Sequence, residues 1–226
     1  MSSFEPVSDA RPHDRQWPPL AWPLETGVRL GGRVVELSLF EPERDAEALF
    51  AALDHDSVWA HVGGRPADAR SYGETLAAAA SQGRFPWVVR LVAPLAGLAP
   101  GSVIGTSSYL DVSVPDARLE IGSTSYDPRV WGSAVNPEAK LLLLGHAFDR
   151  LGAGRVQLKT DVRNERSQRA IDRLGARYEG TLRRYQRRSD DTVRDTVLFS
   201  ILAEEWPEVR AGLNARLTAP ARSRLA

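Results

Sequence analysis

Cysteine is absent from this 226-residue chain, methionine occurs once, and lysine occurs only at Lys140 and Lys159. Without cysteine there is no disulfide framework, no thiolate-ligated zinc or iron–sulfur site and no thiol nucleophile. Any group transfer then has to proceed without a Cys-bound intermediate. No apolar run reaches the roughly 18 residues that a membrane-spanning helix needs, so no membrane partner is expected. Net charge is also missing, because 29 basic side chains balance 29 acidic ones. That balance argues against holding nucleic acid by bulk charge, and no nucleic-acid partner is expected. His55, His61 and His146 show no metal-ligand spacing, so no metal site is expected. The N-terminus lacks a basic stretch followed by an apolar one; no secretory signal is expected, and the cytoplasm is the expected location. All basic residues but the two lysines are arginine. With the abundant alanine, that bias reads as genomic base composition rather than function.

Apolar residues make up 42% of the chain, enough to fill a core. Residues 1–25 read as an N-terminal arm: Pro6, Pro12, Pro18, Pro19 and Pro23 forbid regular structure, and Trp17 and Trp22 offer docking side chains. The arm is a strap over its own subunit or across the partner of a homodimer, and the sequence leaves both open. Residues 215–226, with Arg216, Arg222 and Arg224 and little that is apolar, read as a C-terminal tail. Between them, 26–214 contains no linker and is expected to be one domain. Val28–Leu39 reads as a strand kinked at Gly31-Gly32, Glu43–Leu53 as a helix, and Asp68–Ser81 as a helix capped by Asp68. Strands are expected at Trp87–Ala93, Ser102–Leu110, Arg118–Tyr126 and Arg155–Asp161. Helices are expected at Pro137–Leu151, Arg166–Leu174 and near Glu204–Leu213, and a hairpin at Arg177–Leu202. Strands interleaved with helices imply an α/β fold, a mixed sheet covered by helices on both faces.

The informative stretch is Leu119–Gly180. A strand, Leu119-Glu120-Ile121-Gly122-Ser123-Thr124-Ser125-Tyr126, runs through Asp127-Pro128 into Arg129-Val130-Trp131-Gly132-Ser133-Ala134-Val135, and a helix opens at Asn136. Small residues at 132 to 134 let backbone amides approach a ligand, and a helix start aims more N–H groups the same way. Asn136 is read as the N-cap and Pro137 as the first helical residue. This geometry suits a phosphate or pyrophosphate, although an ordinary strand-to-helix turn has the same pattern. It is neither a nucleoside-triphosphate P-loop nor a dinucleotide fingerprint, since no Gly-Lys-Ser/Thr and no three-glycine pattern occurs. Residues 150–194 carry 13 basic against 6 acidic side chains. That local excess, offset elsewhere in the chain, would steer a polyanion.

Arg129-x-x-Gly132-x-Ala134 resembles the acetyl-CoA signature of the GNAT N-acetyltransferases. The string Val130-Trp131-Gly132-Ser133-Ala134 is similar to the ribosomal-protein alanine/serine acetyltransferase (RimJ/RimL-type) branch. So are Asp161–Ser167, Leu174–Gly180, Arg194–Ser200 and Glu205-Trp206-Pro207, and the likeness covers roughly residues 28–210. The resemblance implies a GNAT fold: a mixed, mostly antiparallel sheet of about seven strands with splayed central strands. It implies acetyl-CoA as acyl donor and a primary amine as acceptor, either a protein N-terminus or a small molecule, attacking directly in a ternary complex. The alternative is an inactive acyl-CoA-binding module.

By that resemblance, Arg129, Val130, Trp131, Gly132, Ser133, Ala134 and Val135 wrap the pyrophosphate, and Gly122 or Ser123 offers an N–H to the oxyanion. Asn164 contacts the pantetheine arm or caps the next helix, or both. Arg166, Arg169 and Arg173 share a helix face that either meets the CoA 3′-phosphate or is simply solvated. Glu120, on the face opposite Leu119 and Ile121, is the candidate general base, or else is paired with an Arg on a neighbouring strand. Many family members have a proton-donating Tyr where this chain has Ile171, so Ser167 is the candidate donor, with Tyr178 and Tyr185 in reserve. Trp59, His61 and Tyr109 are candidates to line the acceptor site.

Overall fold

The computed structural model describes residues 5–8, 16–188 and 190–218. Part of the arm, Ser189 at the hairpin turn, and Arg222 and Arg224 in the tail lie outside the described residues. Eight strands form one sheet in the order β1-β2-β3-β4-β5-β6-β8-β7. They are β1 (Arg29–Gly31), β2 (Val35–Leu39), β3 (Phe85–Leu91), β4 (Val103–Ser113), β5 (Arg118–Tyr126), β6 (Arg155–Asp161), β7 (Arg177–Arg187) and β8 (Val193–Leu202). Every neighbouring pair is antiparallel except β5 with β6.

Alternation fixes which residue of a strand meets which layer. On β3, Trp87 and Val89 belong to the larger core with Leu143 and Leu144, while Val88 belongs to the smaller one with Leu49, Leu53, Tyr72 and Leu76. The smaller core is roofed by α1 (Pro42–Leu53), α2 (Asp56–Trp59) and α3 (Ala69–Ala79). Asp68 caps α3 in a reciprocal box with Ser71. The larger core lies under α4 (Val135–Gly145), its π-helical continuation His146–Arg150, and α6 (Trp206–Thr218). Helix α5 (Glu165–Asp172) contributes Ile171 to that same core.

Residues 215–218, expected in the C-terminal tail, continue helix α6. Two other expected elements differ. The span Val28–Leu39 is not one kinked strand but a hairpin, β1 and β2, turning at residues 32–34. The cause is 105 residues away in sequence: the buried Glu138 carboxylate accepts from the amides of Arg33 (3.0 Å), Val34 (2.6 Å) and Val35 (2.7 Å). A Cβ on Gly32 would meet that carboxylate at 2.5 Å, so any larger residue there would displace it. Glu138 therefore stabilises a distant turn. Helix α4 also starts earlier than Asn136, with Ala134 at the N-cap position. Ser133 staples the start, its Oγ donating to the Val130 carbonyl (2.6 Å) and accepting from the Val135 amide (3.2 Å). Pro137 then falls at the third helical position, where an amide would still have no partner within the helix.

From Trp17 to Trp22 the arm lies on its own chain. Trp17 Nε1 donates to Gly152 O (3.0 Å), the Leu20 amide to Val114 O (3.0 Å), and Trp22 packs edge-on against Phe85.

Candidate functional site

Strand β5 has two different edges. It pairs with β4 from Arg118 to Tyr126, whereas its pairing with β6 covers only Arg118–Glu120 opposite Arg155–Gln157. Beyond Glu120 the two strands diverge, and the rest of β6 is paired only with β8. A bulge marks the divergence. Between the pairs Thr106↔Ser125 and Ser108↔Gly122, two β5 residues, Ser123 and Thr124, oppose the single Ser107. Ser123 adopts φ +46°, a left-handed conformation costing a non-glycine residue about 1–3 kcal/mol, and it is exposed at the opening.

The bulge also shifts the side-chain parity of β5. Leu119 and Ile121 face the larger core; after the bulge it is Thr124 that faces α4, where Lys140 Nζ donates to its Oγ1 at 2.7 Å. Glu120 and Gly122 lie on the opposite face, the Glu120 carboxylate standing 2.6 Å from where a Gly122 Cβ would be.

From β5 the chain enters the loop that feeds α4. Gly132 has φ +73°, which L side chains rarely adopt, and the backbone amides of Gly132, Ala134 and Asn136 find no partner among the described residues. Together with the helix dipole they form an anion-binding concavity. The Arg129 side chain does not add to it. Its guanidinium is folded onto the buried Asp127, with Nη2 to Oδ2 at 2.6 Å, and that contact holds the Asp127 carboxyl below its ordinary range against the opposing effect of burial. Trp131 donates from Nε1 to Tyr126 O (2.9 Å) and carries the Arg166 guanidinium 3.6 Å from its ring centroid. This stacking brings the start of α5 against the loop.

At that start Asn164 Oδ1 accepts from the Ser167 amide (3.0 Å), so Asn164 is the N-cap and its amide NH2 stays available. Ser167 is half-buried, and Ile171 is buried in the core. The arginine stripe of α5 is divided: Arg166 lies on Trp131, whereas Arg169 forms an exposed pair with Glu165 (2.7 Å).

On the opposite face of the sheet Glu120 is 7% exposed and meets Lys159 Nζ of β6 at 2.8 Å; Lys159 also contacts Asp111 (2.9 Å). Burial pushes the Glu120 carboxyl above its ordinary range, although the Lys159 hydrogen bond pulls it down. Burial would lower the Lys159 ammonium, but the two carboxylates outweigh it and raise it. Tyr185 OH lies 3.4 Å from Lys159 Nζ, whereas Tyr178 bonds Thr181 (3.0 Å) and packs edge-on against Phe199 of the larger core.

The three residues expected to line an acceptor site do not come together. Tyr109 is fully buried on the α4 side, its hydroxyl donating to Leu143 O at 2.8 Å. Register places it there: it pairs with Ile121 and Phe85, both on the face toward α4. Trp59 packs on the smaller core and donates to Leu53 O (2.8 Å), and His61 is exposed in the following loop.

A bulged strand that stops pairing on one edge lies beside a loop of free amides at a helix start, a geometry suited to an extended, anion-ended ligand. The chain belongs to the acetyltransferase (GNAT) domain family, whose model matches residues 35–177. It is 30% identical over 106 residues to the uncharacterised N-acetyltransferase p20 of Bacillus licheniformis, a match covering 46% of this chain and 57% of p20. A GCN5-related N-acetyltransferase from Brucella melitensis superimposes with TM-score 0.80 and 27% identity, covering 90% of each chain. Mycobacterium smegmatis RimJ, solved with CoA-disulfide, gives TM-score 0.70 and 23% identity over 84% of this chain and 95% of its own, and speaks to the fold alone. The family takes its acetyl group from acetyl-CoA and delivers it to amines. The free amides and the open β5–β6 edge fit the pyrophosphate and the extended arm of such a donor.

Proposed function

We propose that this chain is an acetyl-CoA-dependent N-acetyltransferase in which a primary amine attacks the thioester directly. The observation that carries this reading is the short β5–β6 pairing, which opens the sheet beside the unpaired amides of Gly132, Ala134 and Asn136. In this reading those amides bind the pyrophosphate, and the Asn164 amide NH2 donates to the pantetheine arm. Arg166, held on Trp131, is better placed than Arg169 for a further phosphate at the same mouth.

The amine approaches on the face that carries Glu120. Burial raises the Glu120 carboxyl toward the range of a useful base, and Lys159 keeps it ionised and oriented. A backbone N–H at Gly122 or, within the bulge, at Ser123 receives the oxyanion. Ser167 returns a proton to the departing thiolate.

The acceptor class, protein N-terminus or small amine, is decided by screening peptides of different first residue and a panel of small amines for release of free CoA thiol. Turnover with any amine supports the reading. Stabilisation by acetyl-CoA without turnover would instead identify an acyl-CoA-binding module, a reading that the apolar Ile171 favours. No effect of acetyl-CoA on the melting temperature would overturn both.

A further inference from the structure

We propose that Lys140 is a positioning residue for acyl transfer, clamping the β5 bulge so that its backbone amides point at the acyl carbonyl; the inference rests on the function proposed above. Lys140 lies in the second turn of α4 and is 4% exposed. Its Nζ donates to Ser107 Oγ (3.0 Å) and Thr124 Oγ1 (2.7 Å), and those hydroxyls are 2.8 Å apart. Ser107 is the β4 residue facing two β5 residues, and Thr124 is one of those two. The triangle therefore spans the bulge itself and replaces, with side chains, the ladder bonds that the extra residue interrupts.

A buried lysine with no carboxylate in hydrogen-bonding reach among the described residues is a poor way to stabilise a core, since an apolar side chain of similar size would usually serve better. Burial lowers its pKa to about 7, opposed only by the Glu120 carboxylate. Charged or neutral, the amine has enough N–H groups for both hydroxyls, so the clamp persists through that titration.

What the clamp holds is the left-handed Ser123, a strained conformation that survives only where its surroundings enforce it. It also ties the bulge to α4, whose N-terminus carries the anion loop, so the two ends of the donor site move as one. The scarcity of lysine acquires a meaning here. In a chain whose other cations are all arginine, Lys140 clamps the bulge from the α4 side, and Lys159 holds Glu120, earlier on β5, from the opposite face of the sheet. A compact ammonium fits between two hydroxyls; a planar guanidinium fork does not.

The test is Lys140→Met, which keeps the volume and removes the donors. Acetyl-CoA labelled with carbon-13 at the acetyl carbonyl is bound to wild type and variant, and its carbonyl band is read by infrared difference spectroscopy. In wild type the band shifts to lower frequency than in free acetyl-CoA. In Lys140→Met it returns toward the free position while acetyl-CoA affinity changes less than about threefold, and kcat for the amine found by the thiol screen falls by about 10- to 100-fold at unchanged KM. An unshifted wild-type carbonyl, or an unchanged band and rate in the variant, overturns the role of Lys140. Failure of wild type to bind acetyl-CoA overturns the functional reading instead. Should Lys140→Met not fold, Thr124→Val and Thr124→Ser carry the same test. The serine variant keeps the wild-type band and rate, and the valine variant loses both; equal behaviour of the two removes the clamp.

Discussion

The two edges of β5 show how one strand can be both scaffold and site. Its β4 edge is paired along the strand, interrupted only by bulges, whereas its β6 edge is paired over three residues and then opens. The closed edge is bounded by the Lys140 clamp and a core that includes Trp87 and Tyr109. The open edge is bounded by groups that retain bonding capacity: the loop amides, the Asn164 amide NH2, and Glu120 against Lys159. Strand separation thus exposes backbone donors at one place without weakening the sheet elsewhere, because the strain of the bulge is carried by the edge that stays paired.

The largest effect is expected from filling the open edge. Gly132→Asp places a side chain at φ +73° and a negative charge among the free amides. Acetyl-CoA affinity measured by calorimetry should fall at least about 100-fold, roughly 2.7 kcal/mol, and an unchanged affinity would remove the loop from the donor site.

Next comes Glu120→Gln, which removes the base but leaves the opening intact. Its kcat should fall by about 100-fold with acetyl-CoA affinity preserved. Because burial raises the Glu120 carboxyl, the wild-type rate should decline as pH falls through that raised range, and this acid limb should vanish from the variant profile. A wild-type rate would leave Glu120 as only the ion-pair partner of Lys159.

The closed edge is probed through stability rather than activity. Lys140 has a folded pKa of about 7 and an unfolded value of about 10.4, so in that window the unfolded chain binds a proton that the folded one has released. Its contribution therefore makes the folded state more stable as pH rises from about 7 to about 10, by at most about 1.4 kcal/mol per pH unit. Lys140→Met lacks this term. Urea unfolding should show its stability relative to wild type falling across the window, and a difference that does not vary with pH would contradict the burial of the amine.

The smallest effect is expected from Arg129→Ala. Since its guanidinium is engaged by Asp127, acetyl-CoA affinity should change less than about threefold. A loss of more than about tenfold would show that the arginine leaves Asp127 to meet the ligand.

Much of the fold was legible in the order of residues. Strands β5, β6 and β8 fall where alternation and β-branched residues predict them, and the Asp68 and Asn164 caps follow from side-chain type at a helix start. The errors share a cause. Tyr109 and Leu110 are both plausible inward residues, and only the strand register decides that Tyr109 turns toward α4. The β1–β2 turn depends on a carboxylate from a distant helix, and the fate of Arg129 depends on a buried aspartate two residues earlier. The two lysines stood out by rarity, yet rarity alone gave no reason to link them.

By itself the sequence determined the family-like signature, the alternation of strands and helices, and the chemistry ruled out by the missing cysteine. Those properties are local, because period, capping and residue type act over a few positions. Only the tertiary structure decided where β5 leaves β6, which face Glu120 occupies, and that Lys140 and Lys159 meet β5 from opposite faces of the sheet, at Thr124 and at Glu120. A single inserted residue changes the parity of every side chain after it, and buried charges find partners across the sheet rather than along the chain.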